Sequence, residues 1–181
     1  QGLLHTVPKG MHPGSEIGNL SLLGYRPEHY FTGRAPLEAA NLGIDLADDE
    51  VAFRCNLVTI HENRMVDYSA GHITSEEAAI LIDALNQGMA EPNIRFYAGK
   101  SYRHLAVIKT HAVKNFLGVA CTPPHDISGK DIKHYLPHEG PEALMLLKLM
   151  EKAQAILAAH PVNQVRLDLG DHPANAIWLW G

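Results

Sequence analysis

The ten residues from Val51 to Ile60 constrain the fold most. Val51, Phe53, Cys55 and Leu57 share one side of an extended chain, while Arg54 and Asn56 share the other. A strand with one apolar face needs a covering layer, and the segments downstream supply it. Residues 61–64 form a turn, after which Arg64 to Tyr68 pair back as a hairpin. Thr74-Ser75-Glu76-Glu77 reads as a capping box, with Thr74 the cap and Glu77 reaching back. The helix it opens carries Ala78, Leu81, Ile82, Leu85 and Met89 as an apolar stripe and ends by Pro92. Ile94 to Ala98 and Tyr102 to Lys109 are two further strands joined at Gly99, and Leu117 to Cys121 reads as another.

Upstream, residues 1–24 form an entry loop punctuated by glycine and proline, then a short helix. Tyr25 to Arg34 is a polar, aromatic-rich connection, and Pro36 opens a helix through Leu42 that Gly43 ends. Downstream, residues 122–140 are the longest irregular stretch. Pro141 starts a long helix to His160 with Leu144, Leu147, Met150 and Leu157 near helical spacing, Asn163 to Asp168 reads as a strand, and Ala176-Ile177-Trp178-Leu179-Trp180 reads as a buried strand, bulky on both faces. The class is α/β with a mixed sheet, because the hairpins require antiparallel pairs.

A chain of 181 residues, 46% hydrophobic and 19% charged, has ample material for a core. The formal net charge of −5 argues against a general nucleic-acid binder. No apolar run reaches the ~20 residues that span a bilayer. Cys55 and Cys121 lie far apart in apolar contexts and read as buried free thiols of a cytoplasmic protein. The chain opens without methionine and closes on its most apolar strand, which reads as a piece of a longer chain.

Four groups carry chemistry. Pro13-Gly14-Ser15-Glu16-Ile17-Gly18-Asn19 sets a serine in a tight turn before a helix, where Ser15 serves as an N-cap, a phosphate-cradle member or a nucleophile. Arg54 and Asn56 form either a solvated outer face or the floor of an anion pocket. Asp67-Tyr68-Ser69-Ala70-Gly71-His72-Ile73 joins a strand to a capped helix, and its glycine either permits close approach of a ligand or simply makes the turn. In Tyr102-Arg103-His104, alternation sends Arg103 and His104 to opposite faces, and the arginine is the better phosphate partner. A loop set of His125, Asp126, His134 and His138 fits no strong metal spacing and reads chiefly as solvated. With Arg34, the three arginine-bearing segments suit an acidic, phosphorylated small molecule.

The run Pro13 to Pro27, the stretch Tyr30-Phe31-Thr32-Gly33-Arg34-Ala35-Pro36-Leu37-Glu38-Ala39, Val51 to Asn56, the Asp67–Ile73 turn and the closing Pro173 to Gly181 resemble the archaeal-type cofactor-independent phosphoglycerate mutases, in order along the chain. That family belongs to the alkaline-phosphatase superfamily. The resemblance implies that Ser15 is a nucleophile phosphorylated during transfer beside two divalent metals, manganese or magnesium. It implies a glycolytic mutase that interconverts 3- and 2-phosphoglycerate, with Arg34, Arg54, Asn56, Asp67, His72 and Arg103 holding substrate. It also implies three parts: residues 1–44 as the nucleophile turn and entry from the core domain, 45–122 as an inserted α/β capping domain, and 123–181 as linker, long helix and final strands.

Two departures qualify the resemblance. The family's other metal ligands fall outside this sequence, leaving Ser15 as the one metal-site member, so the chain alone is expected to hold no metal and to be inactive without the rest of its parent. Ser69 and His72 stand where the mutase pattern has arginines, which resembles a branch proposed to phosphorylate homoserine. A non-catalytic module that binds a phosphorylated ligand is the remaining alternative.

Overall fold

The computed structural model describes residues 5–11, 13–89 and 91–181; the opening residues 1–4 of the expected entry loop lie outside them. The chain divides into two compact units, residues 1–34 and 35–181. Helix α1 (Ser15–Leu22) and the single turn α2 (Pro27–Tyr30) belong to the first unit. Helix α3 (Arg34–Asn41) begins at the division.

The second unit is built around strand β1 (Glu50–His61), which pairs with three others. These are β2 (Arg64–Asp67), β4 (Arg103–Lys109) and β5 (Ala176–Trp180), and β4 also pairs with β3 (Ile94–Lys100). Every one of these pairings is antiparallel, so the α/β class holds while the sheet is antiparallel rather than mixed. The local hairpins account for this: β1–β2 and β3–β4 close through short turns, and β5 runs against β1. In the first hairpin Glu62 and Asn63 both take positive φ, 48° and 59°, which matches strand twist in a two-residue turn.

The alternation in β1 places its two faces as expected. Phe53, Cys55 and Leu57 join Leu81 and Leu85 of α4 (Ser75–Met89) and Leu146 and Leu157 of α6 (Gly140–Ala158) in the main core. Ala52, Leu105 and Val107 on the other face pack against Ala35 and Ala39 of α3. Small residues on α3 let helix and sheet approach closely. At the two ends of this unit, the Ala35 N–H donates to Gly181 O at 2.8 Å, so its entry and exit lie side by side.

The buried stripe of α4 is Ala78, Leu81, Ile82, Leu85 and Met89, as its spacing predicts. Its capping box is formed: Thr74 N–H donates to Glu77 Oε2 at 3.1 Å, and Glu77 N–H donates to Thr74 Oγ1 at 3.2 Å. Thr74→Ala is expected to cost about 1 kcal/mol in urea unfolding. A loss below a few tenths would mean the box adds nothing to the helix.

Three expectations fail. The segment Leu117–Cys121 is not a strand; a one-turn helix α5 (Val113–Phe116) precedes it and the chain then runs irregularly. Asn163–Asp168 is not a strand but lies in helix α7 (Pro161–Asp168). Proline at its first position and the His160 ring nitrogen, which accepts from Val162 N–H at 3.2 Å, start that helix. Its apparent apolar alternation misleads, since Val165 and Leu167 are exposed while Asn163 and Arg166, three residues apart, are buried. In α6 the buried positions are Ala143, Leu146, Leu149, Met150, Ala153 and Leu157, so Leu144 and Leu147 sit off the core face. The irregular stretch after residue 122 is fastened to the β1–β2 hairpin, with Met65 N–H donating to Lys130 O and Ile132 N–H to Asn63 O. No helix among the described residues is long and apolar enough to cross a membrane.

Candidate functional site

The candidate residues fall into one cluster in each unit. In the first, Ser15 is the opening residue of α1, and Gly14, not Ser15, holds the N-cap position. The capping role is therefore absent and the hydroxyl is exposed. Ser15 Oγ donates to Glu16 Oε2 at 3.3 Å, and Arg34 Nη2 donates to the same oxygen at 2.8 Å. A Cβ added at Gly14 would lie 2.3 Å from Glu16 Oε1, so glycine there lets the Glu16 carboxylate fold over the helix start. Partial burial works to raise the Glu16 pKa, but the Arg34 hydrogen bond and charge, the residue's own N–H and Ser15 outweigh it and hold it lowered. Serine hydroxyl, carboxylate and guanidinium thus meet at one point.

In the second unit, antiparallel register puts Arg54, Asn56 and Arg103 on one sheet face. Asn56 stands opposite Arg103 on β4 and opposite Trp178 on β5, and Arg54 stands opposite Trp180. This face is not a solvated exterior. Asn56 is buried, accepting from Trp180 Nε1 at 3.0 Å and donating from Nδ2 to Tyr68 O at 3.4 Å. The Arg54 guanidinium lies over the Trp180 ring at 4.5 Å and pairs with Glu38 of α3 at 3.5 Å. Both residues are thus tied to neighbouring protein groups. Arg103 is exposed, with its guanidinium 5.6 Å from the Tyr102 ring. His104 points to the other face, as alternation requires, and is buried.

The Asp67–Ile73 turn is organised by the carboxylate of Asp67. Its Oδ1 accepts from Ser69 N–H and from Ser69 Oγ, both at 2.7 Å; its Oδ2 accepts from Gly71 N–H at 2.9 Å and meets His172 Nδ1 at 3.1 Å. Burial opposes the charge, yet the bonds from Ser69, Gly71 and His172 prevail and hold Asp67 down to about 2. Three consecutive residues, Ala70, Gly71 and His72, adopt positive φ of 49°, 65° and 52°. Two of them carry side chains, so the turn holds strain of order 1–3 kcal/mol per residue that its surroundings must offset. Ser69 is buried within the turn and bonded to Asp67, so it does not present to a ligand; His72 is the exposed group.

Around the turn runs a series of edge-to-face rings: Trp180 to His125 at 5.5 Å, His125 to Tyr68 at 6.2 Å, Tyr68 to Tyr102 at 5.8 Å and Tyr102 to His72 at 6.4 Å. The series joins the polar sheet face to the turn. Its members Tyr68 and Trp180 carried no individual role in the sequence, His125 stood only in a loop set that fits no strong metal spacing, and His172, 105 positions beyond Asp67, carried none. A groove of about 350 Å³ lined by Ile94, Leu144, Met145 and Leu149 lies elsewhere and contains none of the candidate residues.

The donor set for a metal is incomplete. No three His, Cys, Asp or Glu side chains gather among the described residues. His125 instead contacts Asp126 at 3.6 Å and the Trp180 and Tyr68 rings. Among the described residues, Ser15 is the ligand candidate that the sequence offers.

The chain is 52% identical over 182 residues to the 2,3-bisphosphoglycerate-independent phosphoglycerate mutase of Methanosarcina barkeri, matching 99% of this chain and 44% of that protein. It is 36% identical to phosphoglycerate mutase 1 of this type from Methanocaldococcus jannaschii, covering 97% and 44%. A solved structure of the cofactor-independent phosphoglycerate mutase from Thermoplasma acidophilum superposes with a TM-score of 0.69 at 28% identity, covering 94% of this chain and 46% of that one. The chain thus spans under half the length of these relatives. The family model of 2,3-bisphosphoglycerate-independent phosphoglycerate mutase matches residues 1–163, and the chain belongs to that family.

Proposed function

We propose that this chain is part of a metal-dependent phosphotransferase that interconverts 3- and 2-phosphoglycerate through a phosphoserine at Ser15. The observation that carries the reading is the meeting of Ser15 Oγ and Arg34 on one Glu16 oxygen at the start of α1. A hydroxyl there is exposed, at the positive end of a helix, with a guanidinium within one carboxylate's reach. In the forward direction Ser15 Oγ bonds to phosphorus as the bond to the substrate oxygen breaks. The hydroxyl proton leaves Ser15 and the departing glycerate oxygen gains one. Return to the other glycerate hydroxyl reverses both changes and regenerates the serine. Arg34 exchanges Glu16 for the phosphoryl oxygens during transfer.

The remaining roles are assigned within the same reading. His72 and Arg103 contact substrate, while Arg54, Asn56 and Asp67 support the surface from which they act. Residues 45–122 are assigned as the inserted capping domain, within the compact unit 35–181 whose two ends the Ala35–Gly181 bond ties together. Two divalent ions, manganese or magnesium, are assigned to the full-length protein, where they supply charge neutralisation at the phosphoryl group; Ser15 is the contribution of these residues. Free Cys55 and Cys121 suit a reducing cytoplasm and a glycolytic role.

Incubation of the full-length protein with 3-phosphoglycerate followed by peptide mass spectrometry is expected to find phosphate on Ser15. Phosphate on another residue alone, or none under turnover, would remove the assignment. The second reading, phosphorylation of homoserine, draws support from the exposed His72 on a turn that lacks arginine. Parallel assays with 3-phosphoglycerate and with homoserine plus ATP separate the two.

A further inference from the structure

Arg166 is a buried cation for which the transfer chemistry above has no role. Its side chain is 5% exposed, in the last turn of α7, nearly one hundred residues from the turn it touches. Nη2 donates to Ala70 O at 2.8 Å, Nε donates to His172 O at 3.0 Å, and Nη1 donates to both Glu77 carboxylate oxygens at 3.0 Å. One guanidinium therefore joins the strained 70–72 turn, the first turn of α4 and the loop that brings His172 to Asp67.

The fit is close. A Cβ added at Gly71 would lie 3.0 Å from Arg166 Nη2 and 3.3 Å from His172 Cβ. Positive φ at Ala70 and His72 persists only where surrounding bonds over-determine the backbone. Asp67 supplies those bonds from within the turn, to Ser69 and Gly71 N–H. Arg166 supplies the bond to Ala70 O. Glu77 fixes the guanidinium in turn, because its carboxylate is held by the Thr74 cap. A lysine provides one ammonium and cannot reproduce three directed contacts from a planar fork.

We infer that Arg166 is a positioning residue for substrate binding: it presets the Asp67–His72 turn so that His72 is presented without reorganisation on binding. This rests on the reading that the turn contacts substrate. The protein would thus bind through a turn whose shape is fixed by a charge on a distant helix.

The test uses the full-length enzyme carrying Arg166→Lys, with His72→Ala as its companion. Three readouts are taken: KM and kcat for 3-phosphoglycerate, amide hydrogen exchange at residues 69–72, and thermal unfolding. Arg166→Lys is expected to raise KM about tenfold, the lower end for loss of a supporting contact, with kcat changed less than about threefold. Exchange at 69–72 should accelerate while exchange in β1 and α4 stays protected. His72→Ala should raise KM without accelerating that exchange. If His72→Ala raises KM while Arg166→Lys alters neither KM nor exchange, the positioning role is overturned and the substrate turn stands. If His72→Ala leaves KM unchanged, the substrate reading of the turn fails and the role of Arg166 in binding fails with it. Equal loss of exchange protection throughout the Arg166→Lys protein would make the residue a general fold contact and overturn the proposal.

Discussion

Full-length enzyme carrying Ser15→Ala is expected to lose at least about four orders of magnitude in kcat for 3-phosphoglycerate, because a covalent route has no second nucleophile to fall back on. The geometry makes this a clean test. Ser15 is exposed, it caps nothing, and its hydroxyl makes one long bond to Glu16. Its removal leaves the stronger Arg34–Glu16 bond in place. Folding should therefore be unaffected, with the unfolding midpoint within about 0.5 kcal/mol of the parent, as for surface changes generally. KM should change little, since binding groups remain. Normal turnover in this variant would end the nucleophile assignment. A moderate loss, about tenfold, would recast the hydroxyl as a ligand-positioning group.

Much of the fold is legible in the sequence because its signals are local. Period-two alternation fixes the faces of β1, and 3.6-residue spacing with a capping box fixes the start and the buried stripe of α4. The missed helix α7 has a definite cause, which is polar burial. Helix α7 turns Asn163 inward, where Nδ2 donates to Leu157 O and Ala174 O and Oδ1 accepts from Ala174 N–H. Apolar patterning cannot register a helix whose inward residues are an asparagine and an arginine. The spacing of Asn163 and Arg166 is the signal that would have found it.

The candidate site divides on the same line. Ser15 and the 67–73 turn each stand out through glycine and turn chemistry confined to a few neighbouring positions. That Asp67 organises the turn and Ser69 faces inward follows from bonds within the turn, whereas the covering of Arg54 and Asn56 by Trp180 and α3 depends on partners brought from elsewhere in the chain. His172 and Arg166 were illegible for that reason, since a residue type says nothing of which turn will fold against it.

Acid should destabilise the second unit in two separable steps, of which the first belongs to His104. This imidazole is buried on the main-core face of β4, opposite Cys55; Nδ1 accepts from Gly99 N–H at 3.0 Å, and Nε2 has no hydrogen-bond partner among the described residues. Burial disfavours the charged ring and outweighs the contribution of the Ser101 backbone, pushing its pKa down to about 4 from 6.5. The unfolded chain then binds more protons than the folded one between these values. Stability is complete above pH ~6.5, falls as pH drops towards 4, and loses on the order of 3 kcal/mol across that window. Asp67 acts lower: its folded pKa of about 2 lies beneath the ordinary 3.8, so its contribution is present above pH ~3.8 and is lost as pH falls towards 2. Urea unfolding from pH 7 to pH 2 should show both, and His104→Gln should flatten the upper step while leaving the lower. The same slope between pH 6.5 and 4 in that variant would clear His104 of the effect. Loss of the lower step in Asp67→Asn would trace it to the carboxylate that ties the 67–73 turn together, linking acid stability of the fold to the shape of its candidate site.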